Sequence, residues 1–451
     1  MRINAKSLIV ALCCLFFFSC TEEKVPSAFY PRNDHEAYEH SLTEAKLIKT
    51  ALGTDWKNSA KESLSNPVKI ITPYEEAFYL DPNNADALGY QFEAKRGQKI
   101  EIKISATLIE EAQLFMDLYR VESSGTLSHV ATGAKAELLL GFEPRKDAEY
   151  VLRFQPELLR GGKFKVTIQN VPTLSFPVAG KTASAMQSVW GDPRDGGKRS
   201  HEGVDIFANR GTPVLAPTKG YVRFVGERGI GGNVVWLYDS ERGQSLYFAH
   251  LNTLIAKKGA YVEPGDTLGT VGNTGNARTT PPHLHFGVYK NGAVNPFHYL
   301  QNPPKKVKSV KGDFTLLGQY VRLTRKSLLQ ESLQDKRNST SLASNEVMKV
   351  LAVNSNSYRV QLFNGEVGYI QKSRLTAAAS NPLELMKLRT DVDLLQRPDY
   401  SSHGQFIDEG EQLSVLGKHK GFWMVQNDLG KTGWISDQQK KARRPLTVDP
   451  D

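Results

Sequence analysis

Alternating apolar and polar residues recur along this chain, and they predict strands rather than long helices. Strict alternation occurs at residues 99–104 and again at residues 164–168. A period of two places every second side chain on the same face of a strand. Glycines suited to turns separate these alternating segments. We therefore predict a small antiparallel β-sandwich over residues 67–172.

The segment in front of this sandwich has a helical pattern. Asn33 is a suitable N-cap, and a helical pattern of residues follows from Glu36 to about Leu52. Gly53 would then end the helix. We expect residues 20–66 to form a tether and this short helix.

The middle of the chain, residues 173–302, is rich in glycine and proline and contains short apolar runs, such as residues 221–225 and 233–237. Many short strands joined by tight turns are typical of all-β folds. We predict a central antiparallel β-sheet domain over residues 173–302, and a basic linker follows it at residues 305–308.

The C-terminal third contains an internal repeat, which indicates a duplicated module. Residues 358–361 recur as 423–426, and residues 365–370 recur as 430–435. The offset is 65 in both cases (423 − 358 and 430 − 365). Upstream, the Leu-Leu-Gln of residues 328–330 recurs at residues 394–396, an offset of 66 (394 − 328) that implies one inserted residue.

Each copy carries an aromatic residue, a hairpin turn and a Gly-aromatic-Ile sequence. This arrangement resembles bacterial SH3-like barrels, which often bind cell wall. We expect two such modules, at residues 311–376 and 381–438, with Trp423 and Trp434 in the barrel cores. The whole pattern predicts a mostly β, multidomain protein.

The N-terminus has the pattern of a targeting segment. Arg2 and Lys6 precede an unbroken apolar run over residues 8–18, which is typical of a secretory signal and too short to span a bilayer. The run ends at Ser19 and Cys20 and resembles the lipobox of bacterial lipoproteins, although phenylalanine replaces the usual leucine at position 17. We expect residues 1–19 to be a lipoprotein signal peptide and Cys20 to be the lipidated residue. A plain signal peptide is the alternative.

Cysteine content and charge narrow the possible functions. Two of the three cysteines lie inside the predicted signal, so the mature chain has no disulfide framework, and a lipidated Cys20 cannot be a nucleophile. The net charge is +9, which suits an acidic cell wall or anionic lipid but is equally explained by solubility. We expect no nucleic-acid partner, because the sequence shows no nucleic-acid-binding module and the predicted export signal argues against one.

The candidate chemistry lies in three short motifs between residues 201 and 285. The first contains His201 and Asp205, the second contains His250, and the third contains His283 and His285. Imidazole and carboxylate groups suit Zn²⁺, and a catalytic zinc takes three protein ligands and a water. His283 and His285 would point to the same face of a strand. Each motif alone is a weak signal, but their joint occurrence is far more specific.

The order, spacing and flanking residues of these motifs resemble the lysostaphin-type (LytM-like) zinc endopeptidases of peptidoglycan. The resemblance implies that His201, Asp205 and His285 bind zinc and that His250 and His283 form the catalytic pair, with their individual roles left open. A bound Zn²⁺ would polarise the scissile carbonyl and activate water. The resemblance extends over residues 176–296, with supporting matches at residues 211–214, 231–233, 263–266 and 272–275.

We therefore predict a zinc-dependent endopeptidase that hydrolyses peptide cross-links of bacterial peptidoglycan and is lipid-anchored to a membrane of the cell envelope. Two alternatives remain. The first is a non-catalytic relative that activates a separate amidase, although such relatives typically lose metal ligands. The second is a wall-binding adaptor built on the SH3-like pair.

Other polar residues in and around the motifs are expected to be structural or exposed. Glu202 directly follows a predicted ligand and would point to the opposite face of an extended chain, so we expect it on the surface. The chain lacks His-Glu-x-x-His, so the glutamate base of thermolysin-like enzymes is absent. Phe248 stands where many relatives carry tyrosine. The histidines outside the motifs are His35, His40, His129, His298, His403 and His419.

Overall fold

The structure is a computed structural model of the 451-residue chain, and it describes residues 31–108, 112–134, 138–301, 309–310, 314–333 and 337–441. The predicted signal peptide and Cys20 lie outside the described residues. Within those ranges the protein is mostly β, as the sequence predicted. None of the helices in the described ranges combines the length and the apolar character needed to cross a membrane.

Two helices precede the first strand, α1 (Asp34–Glu44) and α2 (Ala51–Ser65). Asn33 caps α1, because its side chain accepts a hydrogen bond from the backbone N–H of Glu36 at 2.9 Å. Thr50 caps α2 in the same way, accepting the N–H of Gly53 at 3.1 Å.

The prediction of one helix ending at Gly53 is wrong. The first helix ends at Glu44, and Lys46 adopts a left-handed conformation with a φ of 60°. Gly53 lies inside the first turn of α2, where a Cβ would stand 2.2 Å from the carbonyl oxygen of Leu47. Glycine is therefore required here by a close backbone approach and not by a helix end.

The N-terminal β region consists of two facing sheets. One sheet has the order β1-β3-β8-β5-β6, and strands β2, β9, β4 and β7 belong to the other. Phe154 on the first sheet packs against Phe164 on the second, with ring centroids 5.0 Å apart. The strands are β1 (Val68–Lys69), β2 (Tyr74–Leu80), β3 (Leu88–Ala94), β4 (Gln98–Leu108), β5 (Leu114–Val121), β6 (Leu127–Thr132), β7 (Leu139–Phe142), β8 (Ala148–Pro156) and β9 (Gly162–Pro172).

The central region packs an eight-stranded sheet against a three-stranded one. The large sheet has the order β10-β13-β21-β17-β16-β15-β19, with β22 beside β21, and the small sheet has the order β14-β20-β18. The side chains that face each other between the two sheets form one apolar core. The opposite face of the large sheet is therefore not covered by the small sheet and can carry a functional site. The elements are β10 (Met186–Ser188), β11 (Pro193–Arg194), β12 (Arg199–Ser200), β13 (Val204–Phe207), β14 (Pro213–Leu215), β15 (Gly220–Glu227), β16 (Asn233–Asp239), β17 (Gln244–Ala249), β18 (Leu251–Leu254), β19 (Tyr261–Val262), β20 (Thr267–Val271), β21 (His283–Tyr289), β22 (Ala293–Val294) and α3 (Phe297–Leu300).

The C-terminal region is joined to the N-terminal one through a shared sheet. Strand β26 pairs with β2, with Ala77 opposite Val353 and Phe78 opposite Ala352, which gives the order β25-β24-β28-β27-β26-β2-β9-β4-β7. The elements are β23 (Tyr320–Leu323), β24 (Ser327–Gln330), β25 (Ser339–Leu342), β26 (Val347–Val353), β27 (Ser357–Gln361), β28 (Val367–Gln371), β29 (Leu375–Ala377), β30 (Glu384–Lys387), β31 (Val392–Leu395), β32 (Gly404–Ile407), β33 (Gln412–His419), β34 (Phe422–Asn427), β35 (Thr432–Ser436) and α4 (Asp437–Lys441).

The internal repeat has the same strand register in both copies. In the first copy Tyr358 pairs with Ile370, and in the second Trp423 pairs with Ile435. The offset is again 65 (423 − 358 and 435 − 370). The two hairpins, β27–β28 and β34–β35, are therefore equivalent in structure as well as in sequence.

The upstream offset of 66 is wrong, because the structure keeps 65 there too. Leu329 packs over Gly368, and Leu394 packs over Gly433, where a Cβ on either glycine would lie within 2.6 Å of a leucine Cγ. Both leucines are buried. The structurally equivalent residues are Leu329 and Leu394, together with Gly368 and Gly433, and each pair is 65 residues apart (394 − 329 and 433 − 368). The sequence match of Leu-Leu-Gln is displaced from this equivalence by one residue.

The two tryptophans of the second copy differ in burial. Trp434 is buried in the core, as expected. Trp423 is only partly buried: its ring lies against the ammonium group of Lys440, 3.4 Å from the ring centroid, and its indole N–H donates to Asp437.

Candidate active site

Antiparallel pairing of β13 and β21 brings two of the predicted metal ligands together. Asp205 and His285 stand directly opposite each other in the register. Their neighbours Ile206 and Leu284 are completely buried on the core side. Strand alternation therefore turns the carboxylate and the imidazole to the outer face of the large sheet.

His201 reaches the same point from the segment just before β13. Its Nδ1 lies 3.0 Å from the carbonyl oxygen of Val189. A carbonyl can only accept, so we assign the proton of the neutral ring to Nδ1. The Nε2 lone pair of His201 then faces Oδ1 of Asp205 at 3.1 Å.

The three donor atoms form a nearly equilateral triangle. His201 Nε2 lies 3.0 Å from His285 Nδ1, and His285 Nδ1 lies 3.0 Å from Asp205 Oδ1. Ligand atoms around a tetrahedral Zn²⁺ lie about 3.3 Å apart. A lone pair held 3.1 Å from a carboxylate oxygen also requires a proton or a cation between them. Both the spacing and the chemistry of these donors therefore fit a small divalent cation.

The other oxygen of Asp205 is held by a residue that the sequence motifs did not reveal. Arg194, on β11, donates to Asp205 Oδ2 at 2.8 Å. Burial favours the neutral carboxyl, but hydrogen bonds and charge interactions with the imidazoles of His201 and His285, in their protonated forms, outweigh it and hold the pKa of Asp205 well below its ordinary value. Burial also lowers the pKa of His285. The carboxylate is thus charged and fixed in orientation.

His250 and His283 lie beside this triangle, with ring centroids 5.1 Å apart. Each Nδ1 is 2.9 Å from a backbone carbonyl oxygen, that of Thr274 for His250 and that of Pro281 for His283. In the neutral rings both Nδ1 atoms therefore donate, and both Nε2 atoms remain able to accept a proton. Burial, followed by the charges of the neighbouring histidines, lowers the pKa of His250 to about 4.

His250 is held in a strained backbone conformation. It follows the last residue of β17 and has a φ of 62°, which non-glycine residues rarely adopt. Its N–H donates to the carbonyl oxygen of Gly231 at 2.8 Å. Backbone strain of this kind persists where the surroundings enforce it, often at functional sites. The sequence motif gave no sign of this conformation.

All five predicted residues line one cleft of about 860 Å³. Glu202 is exposed at its rim, as predicted. Among the described residues, the cleft is lined by none of the six histidines outside the motifs. The sequence reasoning missed the aromatic side of the cleft, although outward-facing aromatics in β16 and β17 were readable from the strand alternation. The aromatic and arginine residues of the lining are Arg194, Arg199, Phe207, Trp236, Tyr247 and Tyr289.

Comparison with known proteins gives matches to the central region. Residues 199–296 match peptidase family M23. The central region of the chain is therefore similar to this family. Metallopeptidases are the usual members, although some members are activators.

Two curated relatives illustrate this range. The chain is 42% identical to the L-Ala–D-Glu endopeptidase of Bacillus subtilis over 140 residues, covering 28% of this chain and 43% of that protein. It is 31% identical to the murein hydrolase activator NlpD of Salmonella dublin over 146 residues, covering 30% and 37%. The chain thus spans less than half the length of these relatives. Among solved structures, it is 34% identical to the lysostaphin catalytic domain of Staphylococcus simulans, covering 24% of this chain and 86% of that one, with a TM-score of 0.22.

Proposed function

We propose that this chain is a zinc-dependent endopeptidase that hydrolyses peptide cross-links of peptidoglycan. The proposal rests on one observation: three donor atoms, from His201, Asp205 and His285, converge in a cleft that also contains His250 and His283. The relative from Bacillus subtilis, an L-Ala–D-Glu endopeptidase, supports a peptide substrate, and the murein hydrolase activator from Salmonella dublin supports peptidoglycan as the polymer.

In this proposal His201, Asp205 and His285 hold Zn²⁺, which when bound supplies a Lewis acid for the scissile carbonyl and for water. Arg194 and the carbonyl of Val189 orient two of these ligands. Such outer contacts fix the tautomer and direction of a ligand and typically affect metal affinity by about 10–100-fold.

The two remaining histidines would move the protons. In its neutral form His250 donates from Nδ1 to the carbonyl oxygen of Thr274, which leaves Nε2 as the acceptor. Its Nε2 can then accept a proton from the attacking water and later return it to the leaving amine. His283 has the same Nδ1 anchoring and can take either this role or that of stabilising the developing oxyanion. The order of the two roles stays open.

The second candidate function is activation of a separate amidase, which the likeness to NlpD favours. An activator needs the surface of the domain but neither the metal nor the proton-moving histidines. The complete set of five residues favours the enzyme. Zinc content and hydrolysis by the purified protein separate the two functions.

The deciding experiment is digestion of purified peptidoglycan, with the released fragments identified by mass. We expect new amino groups at one type of peptide bond in the cross-links. Glu263→Gln is the matched control, because this exposed carboxylate lies in the same domain and outside the cleft. Intact cross-links in the presence of fully zinc-loaded protein would support the activator instead.

The remaining parts of the chain complete the proposal. Residues 1–19 would direct export, and lipid on Cys20 would hold the protein at a membrane of the cell envelope, where its substrate lies. The duplicated C-terminal modules, residues 311–376 and 381–438, would be SH3-like domains that bind the wall. The β-sandwich of residues 67–172 would position the peptidase domain of residues 173–302.

A further inference from the structure

Aromatic side chains from neighbouring strands lie on the outer face of the large sheet, beginning at the candidate metal site. One set of cross-strand neighbours runs over three strands: Tyr238 on β16 stands opposite Tyr221 on β15, and Tyr221 stands opposite Tyr261 on β19. Two residues earlier on β16, Trp236 stands opposite Tyr247 on β17. We call the following residues the aromatic row: Tyr289, Tyr247, Trp236, Tyr238, Tyr221 and Tyr261.

The near end of the aromatic row is part of the cleft. Tyr247 packs edge-on against His285, with ring centroids 5.8 Å apart. Trp236 contacts both Tyr247 and Tyr289, at centroid distances of 4.6 and 5.1 Å. These three residues line the cleft together with the candidate metal ligands. The row is therefore continuous with the candidate active site.

The far end of the row is open to solvent. Tyr221 is 51% exposed and Tyr261 is 47% exposed, and their rings contact each other at 5.0 Å. The exposed Arg223 lies over the ring of Tyr238, with its guanidinium carbon 3.5 Å from the centroid. The row thus presents aromatic rings together with a positive charge. Contiguous exposed apolar surface of this kind marks a binding site more often than chance exposure does.

The sheet beneath the row limits what can bind there. Strands β16 and β17 are interior strands with a hydrogen-bonded neighbour on both sides, and β15 is covered by β19 at Gly220 and Tyr221, where the row crosses it. Their backbones are therefore not free to pair with an extended peptide, which would need a sheet edge. Recognition on this face must use the side chains themselves, and flat aromatic rings suit flat apolar faces such as the C–H faces of pyranose rings.

We infer that the aromatic row binds the glycan strand of peptidoglycan while a peptide of the same polymer occupies the cleft. This inference rests on the proposed function. Adjacent strands are about 4.8 Å apart, which is close to the length of one pyranose unit. A glycan lying across the strands would therefore meet a new strand with each sugar. Arg223 would attract the carboxylates of the attached peptides.

The first test measures binding to peptide-free glycan chains, with the full-length protein and no requirement for catalysis. The variant is Tyr221→Ala/Tyr261→Ala, whose side chains are half exposed and contribute little to the core. Ile255→Ala is the control, since Ile255 is a 49% exposed apolar residue that follows β18, in the small sheet of the same domain and outside both the row and the cleft. Loss of two aromatic contacts should weaken binding roughly tenfold. Unchanged affinity of the double variant, or no glycan binding by the unaltered protein, would overturn the inference.

The second test separates this inference from the proposed function. A cross-linked peptide without sugars should be hydrolysed equally by the double variant and the control, whereas hydrolysis of whole peptidoglycan by the double variant should show a raised KM. An equal loss of activity on both substrates would mean that the row binds peptide, and would overturn the inference. If no protein hydrolyses either substrate while glycan binding still depends on the two tyrosines, the proposed function fails and the glycan site stands.

Discussion

Glu76 and Arg359 form a buried ion pair between the N-terminal and C-terminal regions, with Oε2 and Nη2 3.0 Å apart. Glu76 lies on β2 and Arg359 on β27. Tyr90 donates a further hydrogen bond to Glu76 at 2.7 Å. Despite burial, the charge of Glu76 raises the pKa of Arg359 above its ordinary value. The pair therefore joins two segments separated by the whole peptidase domain.

Removal of one partner of this pair should be strongly destabilising. Glu76→Gln leaves the guanidinium of Arg359 buried without a counter-charge, which costs about 3–5 kcal/mol. Urea unfolding measures the loss. Lys349→Ala is the control, because the Lys349–Asp81 pair joins the same two regions but is partly exposed and should contribute at most about 1 kcal/mol. Equal losses in the two variants would show that burial of the pair does not matter.

The metal-binding prediction concerns Asp205, whose Oδ1 closes the donor triangle. Asp205→Ala removes the only negative charge among the three donors. We expect the variant to lose bound zinc and hydrolysis together, and elemental analysis of the purified protein measures the metal. Glu263→Gln, in the same domain and outside the cleft, should keep both. A normal zinc content in Asp205→Ala would remove Asp205 from the ligand set.

The catalytic prediction uses the unusual backbone of His250. Because φ is positive there, asparagine is a better replacement than alanine, since it tolerates the left-handed conformation. His250→Asn should keep its zinc and its affinity for peptidoglycan and should lower kcat by roughly 100-fold or more. Near-normal cleavage would mean that His283 alone suffices for proton transfer.

A pH prediction concerns His35, which stacks on Trp56 at 4.4 Å and contacts Gln155 at 2.7 Å. Burial, followed by the charge of Arg153, lowers the pKa of His35 to about 4. In the unfolded chain the pKa of this histidine is about 6.5, so the unfolded state binds the proton more readily. The stabilising contribution of neutral His35 is therefore complete above about pH 6.5 and is lost as the pH falls towards 4.

Urea midpoints measured between pH 7 and pH 4 test this dependence. Relative to the unaltered protein, His35→Gln should lose less stability on acidification, even if it starts from a lower value. His40→Gln is the control, since His40 is exposed on the same helix. Identical pH profiles for the His35 variant and the unaltered protein would exclude His35 as a source of the acid sensitivity.

The anchoring prediction concerns Cys20, which lies outside the described residues. Cys20→Ala should abolish labelling with a fatty-acid analogue and release the protein from the membrane fraction. Several acyl chains hold a protein stably at a bilayer, whereas a single chain does so only marginally. Unchanged labelling and fractionation would leave the plain signal peptide as the explanation.

Local patterns in the sequence were sufficient to predict the mostly β fold class and to predict which side chains share a face of a single strand. The alternation around Leu284 was enough to place His283 and His285 on one side of a strand, because side-chain direction in a strand depends only on position. The repeated hairpins were equally readable, since both copies carry their turn and aromatic residues at the same spacing.

The pairing of strands that are far apart in the chain could not be predicted from the sequence. Only the tertiary structure set Asp205 opposite His285, brought Arg194 onto the carboxylate and joined β2 to β26. It also decided that Gly53 lies within a helix, because the close neighbour that requires glycine there is the backbone of Leu47. The physical reason is that alternation specifies the face of a strand, whereas register and neighbours depend on the packing of residues far apart in the chain.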